Sequence, residues 1–144
     1  MAPFLELAAA DFESSWRAGV VSAAAAARAV LPGMLRERSG TILLTGATAS
    51  LRGSANFAAF AVAKFGLRAL AQSLAREYQP QGIHVAHVVL DGVLRGSGSA
   101  ARFQLGDDRT LDPAAVARTY RQLAEQPRSA WTHELELRPA SEKF

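Results

Sequence analysis

Thr41-Ile-Leu-Leu-Thr45, the small-residue loop Gly46–Ala55, and then Phe60-Ala-Val-Ala-Lys64 decide how this chain folds. The short apolar run after the Ser39-Gly40 turn predicts a strand covered on both faces, as in a parallel sheet. A helix is predicted from Phe57 to about Tyr78, capped by Asn56 or Ser54 and ending ahead of Pro80 and Gly82. Phe60 and Lys64, four residues apart, share one face of that helix. An exposed lysine after an aromatic is also ordinary helix surface, so the pair acquires meaning only from its surroundings.

Strand and helix alternate on both sides of this unit. Asp11 is expected to N-cap a helix from Phe12 to about Met34, with Ser14 and Ser15 as competing caps. Its alanine-rich middle, Ala23–Ala27, gives a slim close-packing face, and Pro32-Gly33 loosens the last turn. Ile83–Leu90 reads as a second buried strand, and Asp91–Asp108 as a Gly/Ser-rich loop with a helical piece around Ala100–Gln104. Asp112-Pro113 opens a helix to about Glu125, and Ala130–Leu137 forms the last strand. The alternation predicts one α/β domain over residues 1–144, a three-layer fold with about three parallel strands and right-handed crossovers.

Composition limits the function classes. The chain has 144 residues, 49% hydrophobic and 20% charged, which describes a globular protein with a core of its own. Its net charge of +3 comes from scattered arginines rather than a basic block, so no nucleic-acid partner is expected. There are no cysteines, which removes thiolate catalysis and zinc–thiolate sites and fits a reducing cytoplasm. No apolar run of about 18 residues is free of charge, so no membrane span is expected. His84, His87 and His133 show no metal-ligand spacing with carboxylates, and no metal site is expected.

In order and spacing, these pieces resemble the C-terminal half of a short-chain dehydrogenase/reductase. The matching pieces are Leu31-Pro-Gly-Met34, Gly40-Thr-Ile-Leu-Leu-Thr-Gly46, Ala59-Phe-Ala-Val-Ala-Lys64 and Leu70-Ala-Gln-Ser-Leu-Ala-Arg-Glu77. Gly82-Ile-His-Val-Ala-His-Val-Val89, Asp91-Gly92 and Ser129-Ala-Trp-Thr-His-Glu-Leu135 continue the match. The resemblance implies a partial Rossmann-like fold, NAD or NADP as cofactor, and a small-molecule carbonyl or alcohol substrate. It also implies a homo-oligomer built through helices 12–34 and 57–78, with Ala23–Ala29 and the row Phe57, Ala61, Phe65, Ala69 at the contact.

Family chemistry uses a tyrosine as proton donor, a lysine four residues later that lowers its pKa and holds the nicotinamide ribose, a serine that orients the carbonyl, and a supporting asparagine. Carried over, these positions fall on Phe60, Lys64, Ala47 and Gly19; only Lys64 is retained. Thr48 and Ser50 lie near the serine position and are candidate substitutes. Thr45, Gly46, Lys64, Asp91, Gly92 and Leu94 are the implied cofactor-binding positions, with Asp91-Gly92 replacing the family's Pro-Gly turn. The Gly-rich phosphate turn has no counterpart between a strand and a helix, and Gly92–Gly98 reads more simply as a loop.

Two functions follow. One is an NAD(P)-dependent oxidoreductase, inactive or impaired as this chain. The other is a non-catalytic oligomerisation or interaction module, or a fragment of a longer dehydrogenase. The strand 41–45 is expected to lie at an exposed sheet edge. Trp16 and Trp131 read as packing residues, Glu134 and Glu136 as a solvated strand face, and Tyr78 and Tyr120 as remote from Lys64.

Overall fold

The computed structural model describes residues 1–142. The first helical run comprises α1 (Ala9–Trp16), a π-helical turn (Arg17–Val21) and α2 (Ser22–Glu37). It starts earlier than the sequence suggests. Asp11 is not the N-cap: it stands in the first turn, where its carboxylate accepts from the Ala8 N–H at 2.8 Å. The Ser14 hydroxyl donates to the Asp11 carbonyl instead of capping. Arg38 closes the run in the left-handed region, φ 48°. The run Ala9–Glu37 is long enough to cross a bilayer, and its most apolar 18-residue window, of mean hydropathy 1.5, is only 17% buried.

Strand β1 (Thr41–Ala47) leads through a 3-10 turn at Thr48–Ser50 to α3 (Ala58–Tyr78). Neither Asn56 nor Ser54 caps α3 through its side chain; Phe57 occupies the N-cap, and the Ser54 carbonyl accepts the Phe57 N–H. Strand β2 (His84–Leu90) follows, then the two-residue β3 (Val93–Leu94), α4 (Gly98–Arg102), β4 (Thr110–Leu111), α5 (Pro113–Ala124) and β5 (Glu134–Leu137). Asp112 caps α5 as expected, accepting the Ala114 N–H. The last strand is shorter than expected: Ala130 ends a 3-10 turn, and the Thr132 N–H is taken by the Gln126 side chain.

The main sheet is parallel, in the order β1-β2-β5. Central β2 is buried from His84 to Val89, two histidines included, as expected of a strand covered on both faces. β1 is an edge, as expected, with Thr45 exposed and Leu44 buried. Alternation along the strands sends Ile42, Leu44 and Val85 towards α2 and α3, where they meet Ala27, Leu31, Leu67, Ala71 and Ala75. The small side chains let both helices lie close to the sheet. On the opposite face, the Tyr120 hydroxyl of α5 meets Thr45 Oγ1 at 2.9 Å, and Trp131 stacks on His84 with ring centroids 4.9 Å apart. The result is the three-layer α/β arrangement expected, plus a small second parallel pair, β3–β4, that the sequence did not reveal.

Gly82 shows why the turn into β2 needs glycine. Its φ is +96°, and a Cβ there would lie 2.6 Å from the Arg38 carbonyl oxygen. Gly66 in α3 makes room for Trp16, whose ring occupies the space a Cβ would fill. Trp16 is therefore a packing residue, although 43% of it remains exposed.

Candidate functional site

A cavity of about 650 Å³ opens at the C-terminal ends of β1 and β2, the position where ligands bind in open parallel α/β sheets. The end of β1 supplies Thr45, Gly46 and Ala47, α3 supplies Phe60 and Lys64, and the turn after β2 supplies Asp91, Gly92 and Leu94. Every implied cofactor position thus faces this one cavity. Ser97 and Phe103 also line it without any mark in their local sequence, and so does Phe57, which the sequence had placed at an oligomer contact. Their role follows from where the ends of α3 and α4 come to rest.

Lys64 reaches across from α3, and its Nζ donates to the Thr45 carbonyl at 2.9 Å. The same Nζ stands 5.7 Å from the centre of the Phe60 ring. Partial burial pulls the lysine pKa below its ordinary value by removing water from the ammonium. An ammonium has three donors, so one bond to Thr45 leaves others for a ligand in the cavity. Phe60 borders the same space, is 43% exposed, and carries no hydroxyl.

The other positions carried over from the resemblance are equally bare. Ala47, at the serine position, lines the cavity with a methyl group. Gly19, at the asparagine position, lies in the π-helical turn, with only Ala63 close to where its Cβ would be. Of the two candidate substitutes for the serine, Ser50 is excluded by the fold. It is fully buried, does not line the cavity, and accepts the Ala47 N–H at 3.1 Å. Thr48 does line the cavity, but its hydroxyl donates to Asp91 Oδ1. Asp91 is buried, and its other oxygen accepts from Arg138 Nη2 at 2.6 Å.

Beneath Gly46 lies a charged group that the sequence did not disclose. Arg68 forms a bidentate pair with Glu134, both bonds 2.7 Å, and Glu134 Oε2 also holds His87 Nδ1 at 3.1 Å. Glu134 is therefore no mere solvated strand face. Its carboxyl is held below the usual range, first by the Arg68 hydrogen bonds and less by His87. Desolvation lowers the His87 pKa against the opposing pull of Glu134. His84 is paired to the Thr132 carbonyl and His133 to the Val85 carbonyl. The three histidines thus serve three separate contacts.

Tyr78 packs against the α2–α3 core. Tyr120 is nearer to Lys64 than its place in the sequence suggests, since both bond to Thr45, Lys64 through its carbonyl and Tyr120 through its hydroxyl. Tyr120 sits on the other sheet face and does not line the cavity. It is no replacement acid.

The residues present fit one end of a nicotinamide dinucleotide. Lys64 and the Asp91-Gly92 turn lie on the cavity wall, and the Lys64 ammonium keeps donors for a ribose hydroxyl beyond its bond to Thr45. The pyrophosphate end has no such fit among the described residues. Gly92–Gly98 folds into β3 and the five-residue α4, whose Ala100 N–H is taken by Ser97 Oγ.

A model of the short chain dehydrogenase family matches residues 1–102. The chain is 40% identical over 93 residues to a protein of Xanthobacter autotrophicus named inactive 2-(S)-hydroxypropyl-CoM dehydrogenase 2, covering 65% of this chain and 39% of that protein. A short-chain dehydrogenase of Rhodopseudomonas palustris superposes with a TM-score of 0.79 at 45% identity, over 95% of this chain and 56% of that one. A serine dehydrogenase in its closed form complexed with NADP+ superposes at 0.84 with 23% identity, over 100% of this chain and 62% of that one. In each case the chain spans less than two thirds of its relative.

Proposed function

The chain belongs to the short-chain dehydrogenase family, and from that premise we propose that it is an oxidoreductase-type protein impaired at proton transfer. The carrying observation is Phe60. It stands on the cavity wall beside Lys64, where the family mechanism needs a phenol, and a phenyl ring has no proton to exchange. The Xanthobacter relative that bears the word inactive in its name supports the same reading. The family match speaks for it over the non-catalytic interaction module weighed from the sequence.

NAD or NADP is the cofactor proposed, and it would supply the hydride when bound. Lys64 would hold the nicotinamide ribose through the ammonium protons that Thr45 leaves free, with Thr45 and Gly46 forming the floor of the site. Asp91, Gly92 and Leu94 would border the nicotinamide ring. Phe60 and Phe57 would exclude water from the same space without exchanging a proton. A small carbonyl or alcohol compound is the proposed substrate class. A cytoplasmic location belongs to the same reading, by kinship alone.

Two measurements test this. With NADH or NADPH and a panel of ketones and aldehydes, the purified chain is expected to oxidise no cofactor above the buffer rate. Phe60→Tyr alone is expected to stay silent, because Ala47 still offers no hydroxyl. Turnover by the unmodified chain would sink the proposal. For binding, reduced nicotinamide mononucleotide and NADH are expected to have dissociation constants within about twofold of each other, since the adenosine half finds no partner among the described residues. A tenfold preference for NADH would show that the chain holds the whole cofactor.

Self-association is proposed through the first helical run and α3. Val62 is 51% exposed and Phe65 43%, and Val21 and Val30 on the first run are 45% and 44% exposed. Together with a helix window only 17% buried, this is more apolar surface than a monomer ordinarily shows. Light scattering is expected to report a dimer or larger, and Phe65→Glu to shift it towards monomer. A monomer at tens of micromolar before mutation would refute the interface.

A further inference from the structure

The contact between Thr48 and Asp91 has consequences for what this cavity binds. A threonine hydroxyl has one proton and two lone pairs, whereas an ionised carboxylate only accepts. The Thr48 proton is therefore spent on Asp91 Oδ1. Asp91 has little freedom to release it. Its other oxygen is held by Arg138 Nη2 at 2.6 Å, and its backbone N–H donates to the Leu137 carbonyl at 2.8 Å. The residue is 4% exposed, so turning the Thr48 proton towards a ligand would strand a buried carboxylate oxygen. Thr48 is half-buried and lines the cavity, and it presents lone pairs there.

We propose that Asp91 makes Thr48 an acceptor-only group, so that this corner of the cavity selects ligands bearing an O–H or N–H donor over those bearing a carbonyl oxygen. The inference rests on the cavity being the ligand site proposed above. It inverts the role of a family serine, which orients a carbonyl: the cavity-lining hydroxyl beside Ala47, that of Thr48, has already given its proton to Asp91. An alcohol, or an amide N–H, satisfies the Thr48 lone pairs; a ketone at the same point meets oxygen with oxygen.

The test compares 1-phenylethanol with acetophenone, two probes with one carbon skeleton, by NMR titration of the whole chain. The quantity read is the ratio of their affinities. Thr48→Val removes the acceptor at nearly constant shape and is expected to lower the alcohol-over-ketone ratio roughly fivefold, the worth of one neutral hydrogen bond. Asp91→Asn is expected to push the ratio further towards the ketone. Its carbonyl would stay on Arg138 and its NH2 would face Thr48, leaving the Thr48 proton free to donate. A ratio unchanged in both variants, with both probes bound at the cavity, overturns the donor preference and leaves the ligand site standing. If neither probe moves the resonances of Thr48 and Gly92, the ligand site falls as well. Should Asp91→Asn fail to fold, the Thr48→Val ratio decides alone.

Discussion

Gly46→Ala is expected to destabilise the chain by about 3 kcal/mol, an overpacking cost at the upper end of the usual range. The added Cβ would overlap His87 Nε2 and stand 2.6 Å from His87 Cε1 and 2.7 Å from Ser50 Oγ. Neither neighbour yields readily. His87 is fully buried and tied by Nδ1 to Glu134, and Ser50 is fully buried and tied to the Ala47 N–H. Thermal unfolding is expected about 10 °C lower, with Gly53→Ala as the control, because a Cβ there meets nothing within 4 Å. A melting point within 2 °C or so of the parent would show that the end of β1 is looser than its contacts to His87 and Ser50 require. Since Gly46 also lines the cavity, ligand binding should weaken in parallel.

Glu134→Ala should cost about 2–3 kcal/mol, because it strands groups on two other elements at once. Arg68 loses a bidentate partner, and buried His87 loses the acceptor at Nδ1. Acid should act on the same cluster. Both folded-state pKa values are lowered, Glu134 below 4.5 chiefly by Arg68 and His87 below 6.5 chiefly by desolvation. In each case the unfolded chain binds the proton first as pH falls. The stabilisation is therefore complete above the unfolded value and is lost on acidification through the folded one. Stability should start to fall as pH drops past 6.5 through His87, and fall again below 4.5 through Glu134. The charges facing His87 are Glu134, Arg68 and Lys64. Denaturant midpoints between pH 7 and pH 4 give the check. His87→Gln should flatten the upper segment, and an identical slope in that variant would remove His87 from the account.

Much of the fold was legible because its signals are local. The β-branched-rich run Ile83–Leu90 announces a strand buried on both faces, and Asp112-Pro113 announces the start of α5; both stand within a residue or so of expectation. Legibility ends where the cause is a distant neighbour. Asp11 has the composition of a cap, yet the helix starts two residues before it, at Ala9. The π-helical turn at Arg17–Val21 has no residue-type signature. β3 and β4 are two residues each and become strands only by pairing across an intervening helix.

The site divides the same way. Sequence alone determined the family, the α/β order and the vacant chemistry at Gly19, Ala47 and Phe60, because those are statements about which side chains exist at which spacing. Only the tertiary structure decided what the remaining groups do. It buried Ser50 while leaving Thr48 on the cavity wall, and it turned the Thr48 proton towards Asp91. It also joined Glu134 to Arg68 and His87, residues 66 and 47 positions away. The direction of a hydroxyl and the partner of a carboxylate depend on elements brought together by the crossover of a parallel sheet. No local pattern in a chain encodes such a meeting.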